Sequence, residues 1–220
     1  MDHHSNLNIS IADFRRQCVL ASLSETDIEP NPFAQFAKWF DDALRAQLPQ
    51  PHAMTLATAT ADGQPSARMV LLKGFDPGGF VFYSNYESQK GRELAHNAKA
   101  ALVFYWAELS RQVRITGQVS QVTAEESDAY WRTRPAGSRL GALVSQQSVA
   151  IQGREVLETR LKQLLAEYQD GDIPRPAYWG GYRVSVNTIE FWHSRENRLY
   201  DRLRYTRLPG DHWHIERLSP

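Results

Sequence analysis

Apolar runs in hairpin order between residues 53 and 121 are the feature that most constrains the fold of this chain. AMTLATAT, PSARMVLLKGF and FVFYSN are separated by Asp62-Gly63 and by Asp76-Pro77-Gly78-Gly79, and such clusters are typical of tight turns between antiparallel strands. KAALVFYWA and RQVRITGQVSQV predict two further strands, and three more are predicted near 180–193, 198–207 and 212–218. Strands that follow one another in this way predict a closed or nearly closed antiparallel barrel rather than a doubly wound parallel sheet.

Helical patterns lie around these strands and predict peripheral helices. Asn31-Pro32 is a typical helix start, and apolar residues recur at helical spacing after it. Thr123 and Glu126 form a capping box, and Pro135 should end the helix that they open. Two more helices are predicted, from about Ser88 to Asn97 and from about Arg154 to Tyr168.

The chain divides into an arm and a single domain. Residues 1–30 show no clear period and end in the breaker-rich EPNP, so we predict a mobile amino-terminal arm before one domain at 31–220. A chain of 220 residues is long enough to bury a sizeable core without disulfides.

Composition excludes several functional classes. Cys18 is the single cysteine, so no internal disulfide is possible and a reducing cytoplasm is expected. The start MDHHSNLNIS lacks a signal-peptide pattern, and no apolar run reaches membrane-spanning length. The 25 basic and 25 acidic residues cancel, which argues against a general nucleic-acid binder. We expect neither a membrane nor a nucleic acid as partner.

Three cations along the first hairpins indicate a site for phosphorylated ligands. Arg68 and Lys73 should point to opposite faces of their strand, unless a bulge or the end of the strand redirects one of them. Lys90 falls in the first turn of a predicted helix, where free N–H groups and the helix dipole favour an anion. Solvated surface cations would give the same pattern. The apolar runs beside them favour a site, because a cation in a buried strand needs a partner.

A second candidate anion site lies in YWRTRPAGS. Tyr130 and Arg134 are four residues apart on one predicted helix and therefore share a face, and Ser138 follows the end of that helix. The guanidinium offers a fork of donors that matches phosphate oxygens. The alternative is an arginine that only stabilises the carboxyl end of its own helix.

The segment RLYDR is a third candidate. Strand alternation would put Arg198, Tyr200 and Arg202 on one face, as a flat cationic surface for a planar anion. A solvent-facing strand with a carboxylate nearby would show the same sequence pattern. Spacing alone does not decide between a ligand-binding face and a solvent-exposed one.

Other motifs carry little functional signal. His212 and His214 lack a third ligand, so no metal site is predicted. No GxGxxG supports a dinucleotide site. Trp179-Gly180-Gly181-Tyr182 is interpreted as close backbone packing at a strand start, structural rather than catalytic.

From about residue 31 to residue 220 the sequence resembles the pyridoxamine/pyridoxine 5′-phosphate oxidases. Eight motifs occur in the same order as in that family: RMVLLK (68–73), FYSN with SQK (82–90), RQV (111–113), YWRTRP with Ser138 (130–138), SQQS (145–148), WGGYRV (179–184), EFW (190–192) and RLYDR (198–202). The resemblance implies a homodimer of FMN-binding split β-barrels with the flavin at the subunit interface.

The resemblance also implies the flavin contacts. Arg68 and Lys90 would bind the FMN phosphate, and Trp192 and Arg202 would approach the ring system. The full implied set is Arg68, Met69, Val70, Leu71, Leu72, Lys73, Tyr83, Ser84, Gln89, Lys90, Gln112, Gln147, Ser148, Trp192 and Arg202.

The implied reaction oxidises phosphorylated B6 vitamers to pyridoxal 5′-phosphate, with transfer of a hydride from C4′ to the flavin and reoxidation by oxygen to give hydrogen peroxide. The substrate phosphate would be bound by Lys73, Tyr130, Arg134 and Ser138. Arg198 and Tyr200 would lie over the substrate ring as the catalytic pair, with Arg198 polarising the substrate. No general base is evident, so positioning is the expected mechanism.

Three departures from the family pattern bear on function. Tyr200 stands where the family usually has His, so a phenol replaces the group that titrates near neutrality. Gln89 stands where Arg is common, which removes one cation from the FMN phosphate site and predicts weaker flavin retention. In the arm, Ile11 and Phe14 replace an Arg and a Tyr that often cover the substrate.

Two alternatives remain at this point. The chain could be a flavin oxidase of the same fold that acts on another planar substrate, as in phenazine biosynthesis, where a similar SQKGREL segment occurs; the retained substrate-phosphate residues argue against this. It could instead be a non-catalytic binding protein for FMN or pyridoxal phosphate, which the change at Tyr200 leaves open.

Overall fold

One antiparallel sheet organises the residues that the computed structural model describes, which are 23–169, 171–210 and 212–220. Its strands are β1 (Ala53–Ala59), β2 (Pro65–Leu71), β3 (Gly74–Asp76), β4 (Gly79–Asn85), β5 (Lys99–Trp106), β6 (Arg111–Gln121), β7 (Trp179–His193), β8 (Asp201–Arg207) and β9 (Trp213–Arg217). The α-helices are α1 (Pro32–Arg45), α2 (Gln89–His96), α3 (Ala124–Thr133), α4 (Ala136–Val144) and α5 (Arg154–Glu167).

The strand order makes the sheet curl toward closure. The order is β2-β1-β5-β6-β7-β4-β3, with β8 paired to β7 and β9 paired to β8. The Lys73 N–H donates to the Val81 carbonyl at 2.8 Å, and the Leu72 N–H donates to the His52 carbonyl at 2.8 Å. The first bond ties the end of β2 to β4, on the far side of the curled sheet, and the second ties it to the residue before β1. The predicted fold, a mainly β antiparallel split barrel with peripheral helices, is confirmed.

Aromatic side chains fill the barrel beneath α1. Asn31 caps α1 by accepting hydrogen bonds from first-turn N–H groups, as its position before Pro32 predicts. Phe36 is fully buried, and its ring meets three others at centroid distances of 4.8 to 5.0 Å: Phe75, Phe80 and Phe104. Burial of one such ring contributes about 1.5–3 kcal/mol, so α1 is held on the barrel by its apolar face.

The structure corrects two local predictions and adds one helix that was not predicted. The strand predicted through PSARMVLLKGF ends at Leu71, and Gly74 begins a separate strand. The strand predicted at 198–207 begins only at Asp201. Helix α4 was not predicted, since AGSRLGALV contains two glycines and directly follows the proline that ends α3.

Residues 23–30 of the predicted arm contact β8 and β9. The Leu23 N–H donates to the Asp201 carboxylate at 3.1 Å, and the Tyr205 hydroxyl donates to the Glu29 carbonyl at 2.7 Å. Arg217 forms an ion pair with Glu25 at 2.8 Å. Residues 1–22, including Ile11 and Phe14, lie outside the described residues, and the boundary at residue 31 stays a prediction. No helix within the described part of the chain has both the length and the apolar character needed to cross a bilayer.

Candidate active site

A cavity of about 750 Å³ brings together most of the cations singled out in the sequence. Its wall includes β2, the end of β4, the first turn of α2 and the junction between α3 and α4. The predicted binding residues in its lining are Arg68, Met69, Val70, Leu71, Lys73, Tyr83, Ser84, Lys90, Tyr130, Arg134, Ser138 and Gln147.

The end of β2 places both Arg68 and Lys73 on this cavity. Strict alternation would have separated them, but β2 stops at Leu71 and Lys73 lies in the irregular link before β3. The interruption of the strand therefore redirects Lys73, which is the exception that the sequence pattern allowed.

A buried carboxylate holds Arg68. The Arg68 guanidinium lies 3.3 Å from the Glu93 carboxylate and also donates to the hydroxyls of Thr58 and Ser66. The same carboxylate accepts from Ser66 at 2.7 Å and from the Gln89 amide at 2.9 Å. Burial by itself would raise the pKa of Glu93, but its hydrogen bonds and the charge of Arg68 lower that pKa to about 2. Glu93 is therefore charged at neutral pH and fixes the guanidinium.

Lys90 is a buried ammonium with neutral hydrogen-bond partners. Helix α2 begins after its cap Ser88, and the Lys90 side chain donates to Ser84 at 3.3 Å, to Ser88 at 3.2 Å and to Gln147 at 2.9 Å. Burial, followed by the charge of Arg68, lowers the pKa of Lys90 to about 8 despite the opposing charge of Glu93. A desolvated cation of this kind favours an anion beside it. We call Arg68, Ser84, Lys90 and Gln147 the Lys90 cluster.

A second set of donors, the Arg134 cluster, consists of Lys73, Tyr130, Arg134 and Ser138. Arg134 ends α3, and its Nη2 donates to the Ser138 carbonyl at 2.8 Å. Its Nη1 is buried without a hydrogen-bond partner, and burial lowers the pKa of Arg134. An unpaired buried N–H of a cation on a cavity wall is the feature expected of an anion site.

Aromatic rings form one side of the Arg134 cluster. Tyr83 and Tyr130 stack at 3.9 Å, and both rings lie nearly parallel to Trp179. The Lys73 ammonium lies 6.0 Å from the centre of the Tyr130 ring. Such rings offer planar surface to a flat ligand.

The remaining predicted residues lie outside the cavity lining. Leu72 points into the barrel core, and the Ser148 hydroxyl accepts from the Gln89 N–H at 3.2 Å, at the start of α2. The others form a separate group around the β6–β7–β8 pairing: Gln112, Trp192, Arg198, Tyr200 and Arg202.

That separate group corrects the strand argument for RLYDR. Arg198 lies in a short 3₁₀ turn with φ of 60°, before β8 begins, so alternation does not align it with Arg202. Tyr200 packs on Trp192 at a centroid distance of 4.7 Å. Arg202 pairs with the Glu190 carboxylate at 2.8 Å, which is the carboxylate-partner alternative that spacing left open.

Comparison with known proteins decides the family. The sequence profile described as "Pyridoxamine 5'-phosphate oxidase" matches residues 40–167, and that of the "Pyridoxine 5'-phosphate oxidase C-terminal dimerisation region" matches residues 179–220. The chain belongs to the pyridoxamine 5′-phosphate oxidase family.

Individual members of the family match over nearly their whole length. A curated protein of Nostoc sp. named "Pyridoxine/pyridoxamine 5'-phosphate oxidase" is 60% identical over 96% of this chain and 99% of its own. One of the same name from Cupriavidus necator is 55% identical over the same shares of the two chains.

A solved structure, PhzG from Burkholderia lata in complex with tetrahydrophenazine-1-carboxylic acid, is 34% identical with a TM-score of 0.84. The match covers 89% of this chain and 95% of that one.

Two residues of the site were missed by sequence reasoning. Glu93 gave a weak signal, since a glutamate on a short polar helix is normally solvated. Trp179 was interpreted as structural, yet it lines the cavity. The signal that could have identified Trp179 is its position in the motif WGGYRV, where an aromatic residue precedes a glycine pair.

The Glu93 network predicts an acid-labile contribution to stability. A folded-state pKa of about 2, below the reference near 4.5, stabilises the fold above pH 4.5 and loses that effect as the pH falls toward 2. Glu93→Gln should therefore lower the urea midpoint at pH 7, and the gap to the wild type should narrow between pH 5 and pH 2. Glu87→Gln, which changes an exposed carboxylate two residues before the start of α2, is the control. A gap that stayed constant with pH would contradict the assignment.

Proposed function

We propose that the protein oxidises pyridoxamine 5′-phosphate and pyridoxine 5′-phosphate to pyridoxal 5′-phosphate, with FMN as cofactor and oxygen as electron acceptor. The observation that carries this proposal is the pair of donor clusters on one cavity, each suited to a phosphate group. Cofactor and substrate each carry one phosphate. The names of relatives at 55–60% identity support the same activity.

The Lys90 cluster fits the FMN phosphate. Its ammonium is buried among neutral oxygens, and a dianion would compensate the desolvated charge at short range. Arg68, fixed by Glu93, would add a second cation. Gln89 donates to Glu93 and brings no charge, so we propose that flavin retention is weaker than in relatives with Arg at this position.

The Arg134 cluster fits the phosphate of the substrate. The unpaired Nη1 of Arg134 would donate to one phosphate oxygen, and Lys73 and the Ser138 hydroxyl would meet the others. Two clusters built from different residues would let the protein bind each phosphate without competition from the other.

We propose that a second copy of the chain completes the site. Trp192 and Arg202 lie outside the cavity although the resemblance assigns them to the flavin, and they fall within residues 179–220, which match the family's dimerisation region. Met69 and Tyr105 are 62% and 65% exposed, and Tyr105 lies directly opposite Gln112 in the sheet. Apolar exposure beside the cavity is typical of an interface. In this homodimer, each cavity would receive Arg198, Trp192 and Arg202 of the partner subunit.

The protein's own contribution is mainly to orient the reactants. When bound, FMN supplies the hydride acceptor that oxygen regenerates with release of hydrogen peroxide. The Arg134 cluster would fix the phosphate, so that the C4′ carbon is held at one distance from the flavin. Arg198 of the partner subunit would polarise the substrate. Tyr200 packs on Trp192, so we propose that it packs against the substrate ring and does not transfer protons. The single cysteine suits a reducing cytoplasm as the place of reaction.

Turnover tests the proposal directly. In air and with added FMN, pyridoxamine 5′-phosphate should give pyridoxal 5′-phosphate, hydrogen peroxide and ammonia in equal amounts, because conversion of an amine to an aldehyde consumes water. Pyridoxine 5′-phosphate should give aldehyde and peroxide without ammonia. Tight binding of pyridoxal 5′-phosphate without turnover would favour a binding protein instead. Turnover confined to a phenazine-type acid would favour the activity suggested by the Burkholderia relative.

Substitutions in the two clusters should affect different ligands, the substrate in one case and FMN in the other. Arg134→Ala should raise KM for pyridoxamine 5′-phosphate roughly 10- to 100-fold, the loss expected for a charge-assisted hydrogen bond, and leave FMN bound. Lys90→Met should weaken FMN binding at least about tenfold, measured by quenching of flavin fluorescence. Lys162→Met, an exposed cation on α5, is the control. Loss of flavin in Arg134→Ala would show that the two phosphate sites are misassigned.

A further inference from the structure

We infer that Trp179 is a positioning residue for the substrate phosphate: its indole fixes the plane of Arg134 and the ring of Tyr130. This inference rests on the proposed function, because it assumes that the Arg134 cluster binds the phosphate of the substrate. It concerns a residue whose motif the sequence presents as backbone packing.

The Arg134 guanidinium lies in a corner between two indole rings. Its Cζ is 4.4 Å from the centre of the Trp179 ring and 4.9 Å from that of Trp131. The two indoles meet edge to face, at 4.8 Å and 63°. A guanidinium over an indole face is attracted to it, most strongly where water is excluded. Two such faces at an angle leave the arginine few orientations.

The same indole supports the tyrosine of the cluster. The Tyr130 ring is nearly parallel to Trp179, at 8° and 6.2 Å, and Tyr83 stacks on both rings. Trp179 belongs to the sheet, yet it lies against Tyr130 on α3 and against Arg134, the residue that follows α3.

Trp179 is rigidly held. It is the first residue of β7, pairs with Asn85 on β4, and is 6% exposed. Its carbonyl accepts a hydrogen bond from Arg175 at 2.8 Å. At the next position, a Cβ on Gly180 would approach the Tyr86 hydroxyl to 2.0 Å, so a larger residue there would have to displace the Tyr86 side chain. Because the indole is fixed on the sheet, it can hold the neighbouring Arg134 side chain in one position relative to the sheet.

The orientation of the Arg134 guanidinium matters because one of its terminal nitrogens already has a hydrogen-bond partner and the other does not. Nη2 is occupied by the Ser138 carbonyl, while Nη1 is buried and unpaired. With the guanidinium plane fixed by Trp179, the unpaired N–H is held ready for a ligand before that ligand binds. Such preorganisation increases affinity by reducing the ordering required on binding.

A double-mutant cycle separates positioning from packing. Trp179→Leu should raise KM for pyridoxamine 5′-phosphate about tenfold, change kcat less than about threefold, and leave the FMN dissociation constant within about twofold. Inhibition by inorganic phosphate should weaken in parallel. In the Arg134→Ala background, the same Trp179→Leu change should raise KM by less than about twofold. Trp179→Phe, which keeps an aromatic face, should restore most of the wild-type KM.

Several outcomes would overturn the inference. A Trp179→Leu effect of equal size with and without Arg134 would show that Trp179 only packs, as would an equal loss of FMN and substrate affinity. Trp213→Leu, which removes a partly buried tryptophan that packs on the core and meets Phe33 edge to face, is the control for a general loss of packing. If Trp179→Leu does not fold, Trp179→Met carries the same double-mutant cycle. An Arg134→Ala effect on KM that is smaller in Trp179→Met than in the wild type is then the supporting result, and an effect of equal size overturns the inference. Absence of wild-type turnover would overturn the proposed function instead, and phosphate-ester affinity would still be measurable from pyridoxal 5′-phosphate binding.

Discussion

Desolvated positive charge is the constraint on which the rest of this site depends. Lys90 is 8% exposed and donates to neutral oxygens, and Arg134 keeps a buried N–H without a partner. Burying cations in this way costs stability, and the barrel core must offset it. Among the described residues of the Lys90 cluster, only Arg68 has a carboxylate at ion-pair distance. This carboxylate, from Glu93, both orients the guanidinium and compensates its charge.

Two breaks in regular secondary structure bring the binding side chains together on the cavity. The break between β2 and β3 brings Lys73 onto the same cavity as Arg68, and the break between α3 and α4 at Pro135 puts Arg134 beside Ser138. Both breaks are held by the tightly packed sheet, through the bond from Lys73 to β4 and through Trp179 at the start of β7. Irregular backbone on a rigid sheet is a common way to present binding groups.

The sequence predicted the parts of this structure that depend on local physics. Turn clusters such as Asp62-Gly63 identified the hairpins, and the cap at Asn31 identified α1, because both signals lie within a few residues. Helix α4 was missed because its glycines hide any periodicity. The strand face of Arg198 was wrong because a 3₁₀ turn precedes β8, and nothing in RLYDR signals that turn. Glu93 and Trp179 act through contacts with residues far along the chain, which spacing does not encode. The roles proposed for Trp192 and Arg202 would depend on a second subunit and stay predictions.

The central claim is that each cavity takes its phosphate-binding cations from one subunit and its ring contacts from the other. The most direct test is to co-express Arg134→Ala and Arg198→Ala and to assay the unfractionated dimers at a pyridoxamine 5′-phosphate concentration far below the KM of Arg134→Ala, where each variant alone should show little activity. Random association makes about half of the dimers mixed, and one cavity of two in each mixed dimer would be intact, so about a quarter of the wild-type activity should return. Activity that stays at the level of the separate variants would contradict the shared site.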